Sequence, residues 1–256
     1  MNRRGKVYLT GAGPGAADLL TVRAARVLAR AEAVFHDALV SDEVLHLCTA
    51  ASEIVPVGKR CGVPEQARQE TIHRLLDEAS LRYSTVVRLK GGDPCVFGRG
   101  GEELEFLARR GIPWEVIPGV SAGVGGLSSL GLPLTHRDLA SSVLLLTGSQ
   151  ALHGEYPGAS GRPPLQGGQT LVFYMGLRHV AAIAADLMRQ GLDPATYALC
   201  ASRISCPDQK LVTSPLARIG EETAACVQET PALLVVGDVV GFWKGLHEKA
   251  AVRREP

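Results

Sequence analysis

Five glycines lie in the eleven-residue segment 91–101, Gly-Gly-Asp-Pro-Cys-Val-Phe-Gly-Arg-Gly-Gly. Ordering glycine inside a regular element costs roughly 0.5–1 kcal/mol relative to alanine, so stability alone does not explain such a run. The segment follows an apolar stretch of strand type at 86–90, and helix formers resume at Glu102. A loop at the carboxyl end of a strand is where open α/β sheets bind ligands. We therefore predict that residues 91–101 form a ligand-binding loop, with a flexible connector as the alternative.

A second glycine-rich turn, Gly11–Ala16, lies between a predicted strand at 6–10 and a predicted helix at 22–31, which Asp18 or Thr21 is placed to cap. The turn formally matches the dinucleotide-binding pattern G-x-G-x-x-A. Pro14 removes one N–H from the turn, which weakens the case for a pyrophosphate cradle. An NAD(P)-binding oxidoreductase and an ordinary strand-to-helix turn both remain open at this point.

Composition limits the classes of function. The 27 Lys and Arg nearly balance the 26 Asp and Glu, so no overall field attracts nucleic acid or an anionic membrane. No apolar run is long enough to predict a transmembrane helix, and we expect no signal peptide at the N-terminus. The six cysteines show no CxxC pair and the histidines are scattered, so we expect no metal, reduced thiols and a cytoplasmic location.

Strand-like and helix-like segments alternate along the chain, which is long enough for two domains. We predict two α/β domains, a mostly parallel first sheet, a mixed second sheet and an active cleft between the domains. The predicted boundaries are 1–136 for the N-terminal domain and 137–256 for the C-terminal domain. The predicted strands are 6–10, 33–40, 54–60, 86–90, 114–117, 142–147, 170–176, 198–201, 209–213 and 231–237; the helices are 22–31, 65–79, 102–110, a small-residue helix ending at Leu130, 180–190 and 221–227; residues 154–168 are a surface loop and the last ten a solvated tail.

Nine short motifs follow one another along residues 6–245 in an order that resembles the tetrapyrrole methylase family, in particular its uroporphyrinogen-III C-methyltransferase branch. The GGDPCVFGRGGEE and PLTHR stretches point to that branch. The motifs are Gly11–Gly15, Val34–Ser41, Val57–Arg60, Leu89–Pro94, Phe97–Glu103, Pro118–Ala122, Pro133–Arg137, Tyr174–Gly176 and Pro231–Leu233.

The resemblance implies that S-adenosylmethionine is the methyl donor, bound in the cleft and released as S-adenosylhomocysteine, which displaces the dinucleotide interpretation of Gly11–Ala16. The implied cofactor contacts are Pro14, Gly91, Gly92, Asp93, Val96, Ser121, Ala122, Met175, Ile204 and Ala232. Two stretches depart from the family pattern. Ala16-Ala17 replaces Asp-Pro, and Ile204 stands where glycine is common, so we expect a narrower pocket there.

The resemblance also implies that Asp37 is the proton acceptor and Lys59 the proton donor of the reaction. A helix cap or an ion-pair partner is the alternative for Asp37, and a surface lysine for Lys59. Pairing with the eight carboxylates of the substrate is a further alternative for Lys59. Arginine's planar fork suits the same carboxylates, so we predict substrate contacts at Arg60, Arg99 and Arg137. His136 is either a hydrogen-bond donor to the substrate or a boundary-loop residue.

The expected reaction is the methylation of uroporphyrinogen III at C2 and then C7, giving precorrin-2 for sirohaem or cobalamin synthesis. The family resemblance implies a homodimer. A sister methylase acting on a later corrin intermediate is the first alternative. An NAD(P)-binding oxidoreductase and a non-catalytic binding module are two further alternatives from other classes.

Overall fold

The structure is a computed structural model that describes residues 4–58, 65–148, 168–227 and 229–252. The chain divides into two compact units, Met1–Ser121 and Ala122–Pro256. No helix in the described ranges combines the length and the apolar character needed to cross a bilayer.

The first unit contains one sheet of five parallel strands in the order β3-β2-β4-β1-β5. Because parallel neighbours need a crossover, each strand is followed by a return through a helix or turn. The strands are β1 Lys6–Gly11, β2 Ala33–His36, β3 Glu53–Pro56, β4 Thr85–Lys90 and β5 Trp114–Ile117; the helices are α1 Val22–Leu28, α2 Asp42–Leu45, α3 Glu65–Arg82 and α4 Gly100–Arg109, with a 3₁₀ turn at Ala17–Leu19.

Both faces of this sheet are buried, as expected for parallel strands. Along β4 the side chains alternate: Val86 packs with α3 and α4, whereas Val87 and Leu89 pack with α1. The hydroxyl of Thr21 accepts a hydrogen bond from the backbone N–H of Ala24 at 3.1 Å, so the predicted cap of α1 is confirmed. The strand ends are therefore held in one rigid layer, and the loops that follow them start from fixed positions.

The second unit contains a mixed sheet in the order β6-β7-β10-β8-β9. Strands β6 and β7 are parallel, and the other pairs are antiparallel. The strands are β6 Ser142–Thr147, β7 Gln169–Tyr174, β8 Tyr197–Ser202, β9 Lys210–Pro215 and β10 Ala232–Val236; the helices are a π-helical turn Ala122–Gly126, α5 Leu127–Ser129, a 3₁₀ turn Leu177–His179, α6 Val180–Arg189, α7 Leu216–Cys226 and α8 Asp238–Val252.

The predicted fold class, two α/β units with a parallel first sheet and a mixed second sheet, is confirmed. The division between the units falls fifteen residues before the predicted boundary at 136. Leu127 and Leu132 are buried in the core of the second unit, and the indole N–H of Trp243 donates to the carbonyl of Leu130 at 2.9 Å. Packing thus assigns residues 122–136 to the second unit.

Two helices are absent from the sequence prediction. The short helix α2 was not predicted, and α8 extends to Val252 where a solvated tail was expected. The predicted loop at 154–168 lies outside the described residues except for Gly168.

Candidate active site

Several predicted site residues of the first unit lie in the loops that follow the carboxyl ends of its strands. The loops after β1 and β4 are joined by two backbone hydrogen bonds between Gly13 and Gly92, 3.2 and 2.7 Å long. Pro14, which is half-buried, follows Gly13 in the first of these loops. The parallel sheet therefore brings these loops together at one edge, where α/β sheets bind ligands.

Gly92 presents bare backbone to open space within the first unit. Its φ is +68°, in the left-handed region, and a Cβ added there would meet no atom within 4 Å. Nearby, a Cβ on Gly119 would lie 2.1 Å from the carbonyl oxygen of Gly92, so these two loops are in direct backbone contact. A ligand is thus able to approach Gly92 more closely than any other residue type would allow.

Asp93 binds two backbone N–H groups with its carboxylate. One oxygen accepts from Cys95 at 2.8 Å and the other from Gly119 at 3.0 Å. Asp93 therefore shapes its own loop and fastens it to the loop after β5. This second role was not foreseen from the sequence.

Asp37 follows β2 and lies beside the end of β4. Its backbone N–H donates to the carbonyl of Leu89 at 3.1 Å, and its carboxylate accepts from the Arg88 guanidinium at 2.5 Å. The Asp37 side chain is 28% exposed, whereas that of Arg88 is 2% exposed. The ion-pair alternative for Asp37 is thus observed, and it leaves part of the carboxylate accessible.

Three buried charged side chains that the sequence analysis did not select lie beneath Asp37. They are Arg88 and Lys90 of β4 and Glu103 of α4. Glu103 Oε1 lies 3.1 Å from Arg88 Nε and 3.0 Å from Lys90 Nζ. The available signal was two charged residues inside the otherwise apolar strand Val86–Lys90, because lysine and arginine are almost never fully buried unless they are paired.

The pKa values of the two buried cations, Lys90 and Arg88, shift in opposite directions. Burial, reinforced by the charge of Arg88, lowers the pKa of Lys90 despite the attraction of Glu103. Burial alone would also lower the pKa of Arg88, but Glu103 and Asp37 outweigh it and raise that pKa above its ordinary value. Arg88 is thus a permanent cation at the base of Asp37.

The second half of the glycine loop has a strained backbone. Phe97 and Arg99 have left-handed φ values of 51° and 57°. Arg99 donates two hydrogen bonds to the Glu102 carboxylate, at 2.8 and 2.6 Å, and Val96 is half-buried earlier in the loop. Such strain concentrates at ligand-binding segments. Every other left-handed non-glycine residue in the described ranges also lies in or beside a predicted site motif; these are Met175, Arg203 and Ser205.

In the second unit, Met175, Ile204 and Ala232 lie at one edge of the mixed sheet. Met175 follows β7, Ile204 follows β8, and Ala232 begins β10, which runs antiparallel to both. Met175 is exposed, whereas Ile204 is 4% exposed and packs in the core. The isoleucine side chain is therefore accommodated by the core of this unit.

His136 and Arg137 lie at the opposite edge of that sheet. They precede β6, and the neighbouring Leu134 carbonyl accepts from the hydroxyl of Thr170 at the start of β7, 2.7 Å away. His136 closes a turn: its Nδ1 accepts from the backbone N–H of Asp138 at 3.2 Å. The structure thus does not bring His136 and Arg137 together with the Met175 group, and the geometry of His136 favours the boundary-loop alternative.

Five predicted residues remain. Gly91 is half-buried and directly follows β4. Ser121 and Ala122 are half-buried where the two units meet in sequence. Lys59 and Arg60 lie outside the described residues, so their predicted roles stay predictions. Within the described ranges, no group of three or more His, Cys, Asp or Glu residues is arranged to hold a metal ion.

Comparison with known proteins identifies the class. The family model of the Tetrapyrrole (Corrin/Porphyrin) Methylases matches residues 6–220. The chain therefore belongs to the tetrapyrrole methylase family, and the predicted resemblance and the prediction of a methyltransferase are confirmed.

Individual relatives narrow the likeness. A crystal structure of the native form of uroporphyrin III C-methyl transferase from Thermus thermophilus is 43% identical, with a TM-score of 0.75 over 93% of this chain and 100% of that one. A structure of this Thermus thermophilus enzyme in complex with S-adenyl homocysteine is 42% identical, with a TM-score of 0.74 over 92% and 93% of the two chains.

Longer relatives carry the same region. The siroheme synthase of Neisseria meningitidis serogroup B is 45% identical over 249 residues, which are 96% of this chain and 49% of that protein. The chain thus spans about half the length of the curated relatives that it matches.

Proposed function

We propose that the chain transfers methyl groups from S-adenosylmethionine to uroporphyrinogen III, first at C2 and then at C7, to give precorrin-2. The observation that carries the proposal is the open backbone of Gly92, fastened between the loops after β1 and β5. The proposal is supported by the 43% identity to the Thermus thermophilus enzyme over the whole of that chain.

The cofactor contacts proposed in the first unit are those of the glycine loops and the turn after β5. When bound, S-adenosylmethionine supplies an electrophilic methyl group on a positively charged sulfur. The residues of the chain have to fix its position, because alignment supplies much of the catalysis in a displacement reaction. We assign this role to Pro14, Gly91, Gly92, Asp93, Val96 and Ser121 in the first unit and to Ala122, Met175, Ile204 and Ala232 in the second.

Proton movement on the macrocycle is the remaining task for side chains. We assign Asp37 as the proton acceptor, because its carboxylate is ionically paired yet 28% exposed at the binding edge. Lys59 is the proposed donor. Arg99, Arg60 and Arg137 are the proposed partners of the substrate carboxylates. His136 is proposed as a boundary-loop residue, because its ring closes a turn.

The family resemblance further supports a cytoplasmic homodimer that uses no metal. Its product would serve sirohaem or cobalamin synthesis.

Incubation with uroporphyrinogen III and methyl-labelled S-adenosylmethionine tests the reaction. We expect two labels per macrocycle, at C2 and C7. No label in this macrocycle, with label entering a later corrin intermediate, would support the sister-methylase alternative.

Titration separates the enzyme classes. We expect saturable binding of S-adenosylhomocysteine and no saturable binding of NADH, and the reverse would favour the oxidoreductase. Asp93→Ala is expected to weaken S-adenosylhomocysteine binding, because the loop loses its bonds to Cys95 and Gly119. Unchanged affinity would remove Asp93 from the site.

A further inference from the structure

Four charged side chains form one continuous cluster in the first unit. We call Asp37, Arg88, Lys90 and Glu103 the charge cluster. Arg88, Lys90 and Glu103 have side chains that are 2%, 4% and 0% exposed, and only Asp37 reaches the surface, with 28% of its side chain exposed. The cluster contains two cations and two anions.

Arg88 is held on all sides. Its Nε donates to Glu103, its Nη1 to the backbone carbonyls of Phe35 and Leu89, and its Nη2 to Asp37. The guanidinium is planar and rigid, so Glu103 and the two backbone carbonyls together leave it a single orientation. The direction in which it presents Nη2 to Asp37 is therefore set by Glu103 and by the strands.

Burial of this cluster is difficult to explain by stability alone. Desolvating ions costs several kcal/mol each, and buried ion pairs often stabilise a fold no better than apolar residues do. In addition, one oxygen of the fully buried Glu103, Oε2, has no hydrogen-bond partner among the residues that the structure describes. The cluster is costly to bury, and its one exposed member, Asp37, lies at the binding edge of the sheet. This arrangement indicates that the buried charges hold Asp37 in place.

We propose that Arg88 is a positioning residue that fixes the Asp37 carboxylate for proton transfer, and that Glu103 acts through Arg88 to hold it there. This inference rests on the proposed methylation and deepens it, because it names what determines the geometry of the proton acceptor. It also gives a role to the strand charge at position 88.

Glu103→Gln is the informative substitution. It keeps the shape of the side chain but leaves two buried cations with Asp37 as their only anion. The Asp37 carboxylate is then drawn toward Lys90 as well as Arg88, away from its working position. We expect kcat to fall about 10- to 100-fold, the range that a displacement of roughly 1 Å produces. We expect the affinity for S-adenosylhomocysteine to stay within about twofold.

Glu105→Gln is the matched control. Glu105 lies on the same helix, α4, and pairs with Arg109 at the surface, where its side chain is 65% exposed. The chemical change is identical, but the pair is remote from Asp37. We expect wild-type kcat and wild-type affinity from this variant. If Glu103→Gln fails to fold, the charge-balanced double variant Lys90→Met, Glu103→Gln takes its place. A fall in kcat is then expected from the lost ionic contact at Arg88 Nε alone, since Lys90 no longer attracts Asp37.

The Asp37→Asn background separates positioning from a general structural effect. If Glu103 acts through Asp37, adding Glu103→Gln to Asp37→Asn lowers the residual kcat no further. An equal fold-loss in both backgrounds, or unchanged kcat in Glu103→Gln alone, would overturn the proposal.

Urea unfolding gives a readout that does not need activity. Asp37→Asn and Glu103→Gln are expected to shift the unfolding midpoint non-additively, because both contact Arg88. Additive shifts of the unfolding midpoint would contradict the coupling of Asp37 and Glu103 through Arg88. If the wild-type protein does not methylate uroporphyrinogen III, the proposed function fails, while this cycle still reports on the link between Asp37 and Glu103.

Discussion

Substituting Gly92 by alanine separates ligand approach from backbone strain. Alanine in the left-handed region costs about 1–2 kcal/mol, and a Cβ at Gly92 would meet no atom of the described part of the chain within 4 Å. The expected loss in the free energy of unfolding is therefore about 1–2 kcal/mol, which lowers Tm by about 2–8 °C for a chain of this size. The variant is expected to fold.

Cofactor binding is expected to suffer separately, because the new methyl group projects into the space that the bound cofactor would use. Overpacking by one methyl group costs about 1–3 kcal/mol, which corresponds to a roughly 5- to 150-fold weaker affinity for S-adenosylhomocysteine. Isothermal titration calorimetry measures this loss directly, and differential scanning calorimetry measures the stability of the same samples.

Gly111→Ala is the matched control. Gly111 follows α4 at the opposite edge of the sheet, with a φ of +62° and no atom within 4 Å of an added Cβ. It therefore carries the same backbone cost without a predicted ligand. If both variants lose the same stability and both keep the wild-type affinity for S-adenosylhomocysteine, the cofactor assignment of Gly92 is wrong.

Three further predictions concern the first unit. Gly119→Ala is expected to destabilise the protein by about 1–3 kcal/mol in urea unfolding, because its Cβ would lie 2.1 Å from the carbonyl oxygen of Gly92. Thr21→Ala is expected to cost about 1 kcal/mol in the same assay, through loss of the α1 cap. Burial alone would raise the pKa of Asp77, but hydrogen bonds from Arg110 and Arg4 hold it below 3.8. Asp77→Asn is therefore expected to cost about 1 kcal/mol at pH 7, and this difference from wild type shrinks as the pH falls below about 3.8 and vanishes below the folded pKa.

Each of these three has its own check. A Gly119→Ala protein as stable as wild type would contradict the close contact of the loops. If the amide protons at the start of α1 exchange no faster in Thr21→Ala than in wild type, the cap does not stabilise the helix. For Asp77→Asn, a difference from wild type that does not shrink at all between pH 7 and pH 2 would show that packing, rather than charge, links Asp77 to its arginines.

The strands of both sheets were predictable from the sequence alone. The strand at 86–90 is an apolar run bounded by glycines, and such runs predict buried strands wherever they lie in the chain. Helix α8 was missed because Gly241 and Gly245 lower its helix propensity. In the structure, α8 is held by tertiary packing, with Trp243 bonded to Leu130. Propensity alone cannot report such a contact.

Only those parts of the site that lie in a recognisable sequence motif were predictable. The glycine loop at Gly91 and Gly92 lies at the expected sheet edge, but the charge cluster depends on pairs that are distant in sequence. Asp37 and Arg88 are separated by 51 residues. Residue spacing along one sequence does not tell which distant charges meet, and the available signal was the presence of Arg88 and Lys90 in an otherwise apolar strand.

The order of the strands has a consequence for biosynthesis. In the first sheet, β1 is an interior strand that pairs with β4 and β5, which are made about eighty and a hundred residues later. In the second sheet, the middle position belongs to β10, the last strand. The first sheet therefore has a gap between β2 and β1 until β4 emerges, and the second has a gap between β7 and β8 until β10 emerges. We infer that each unit folds in one late step, and that fragments cut within a unit are targets for proteolysis.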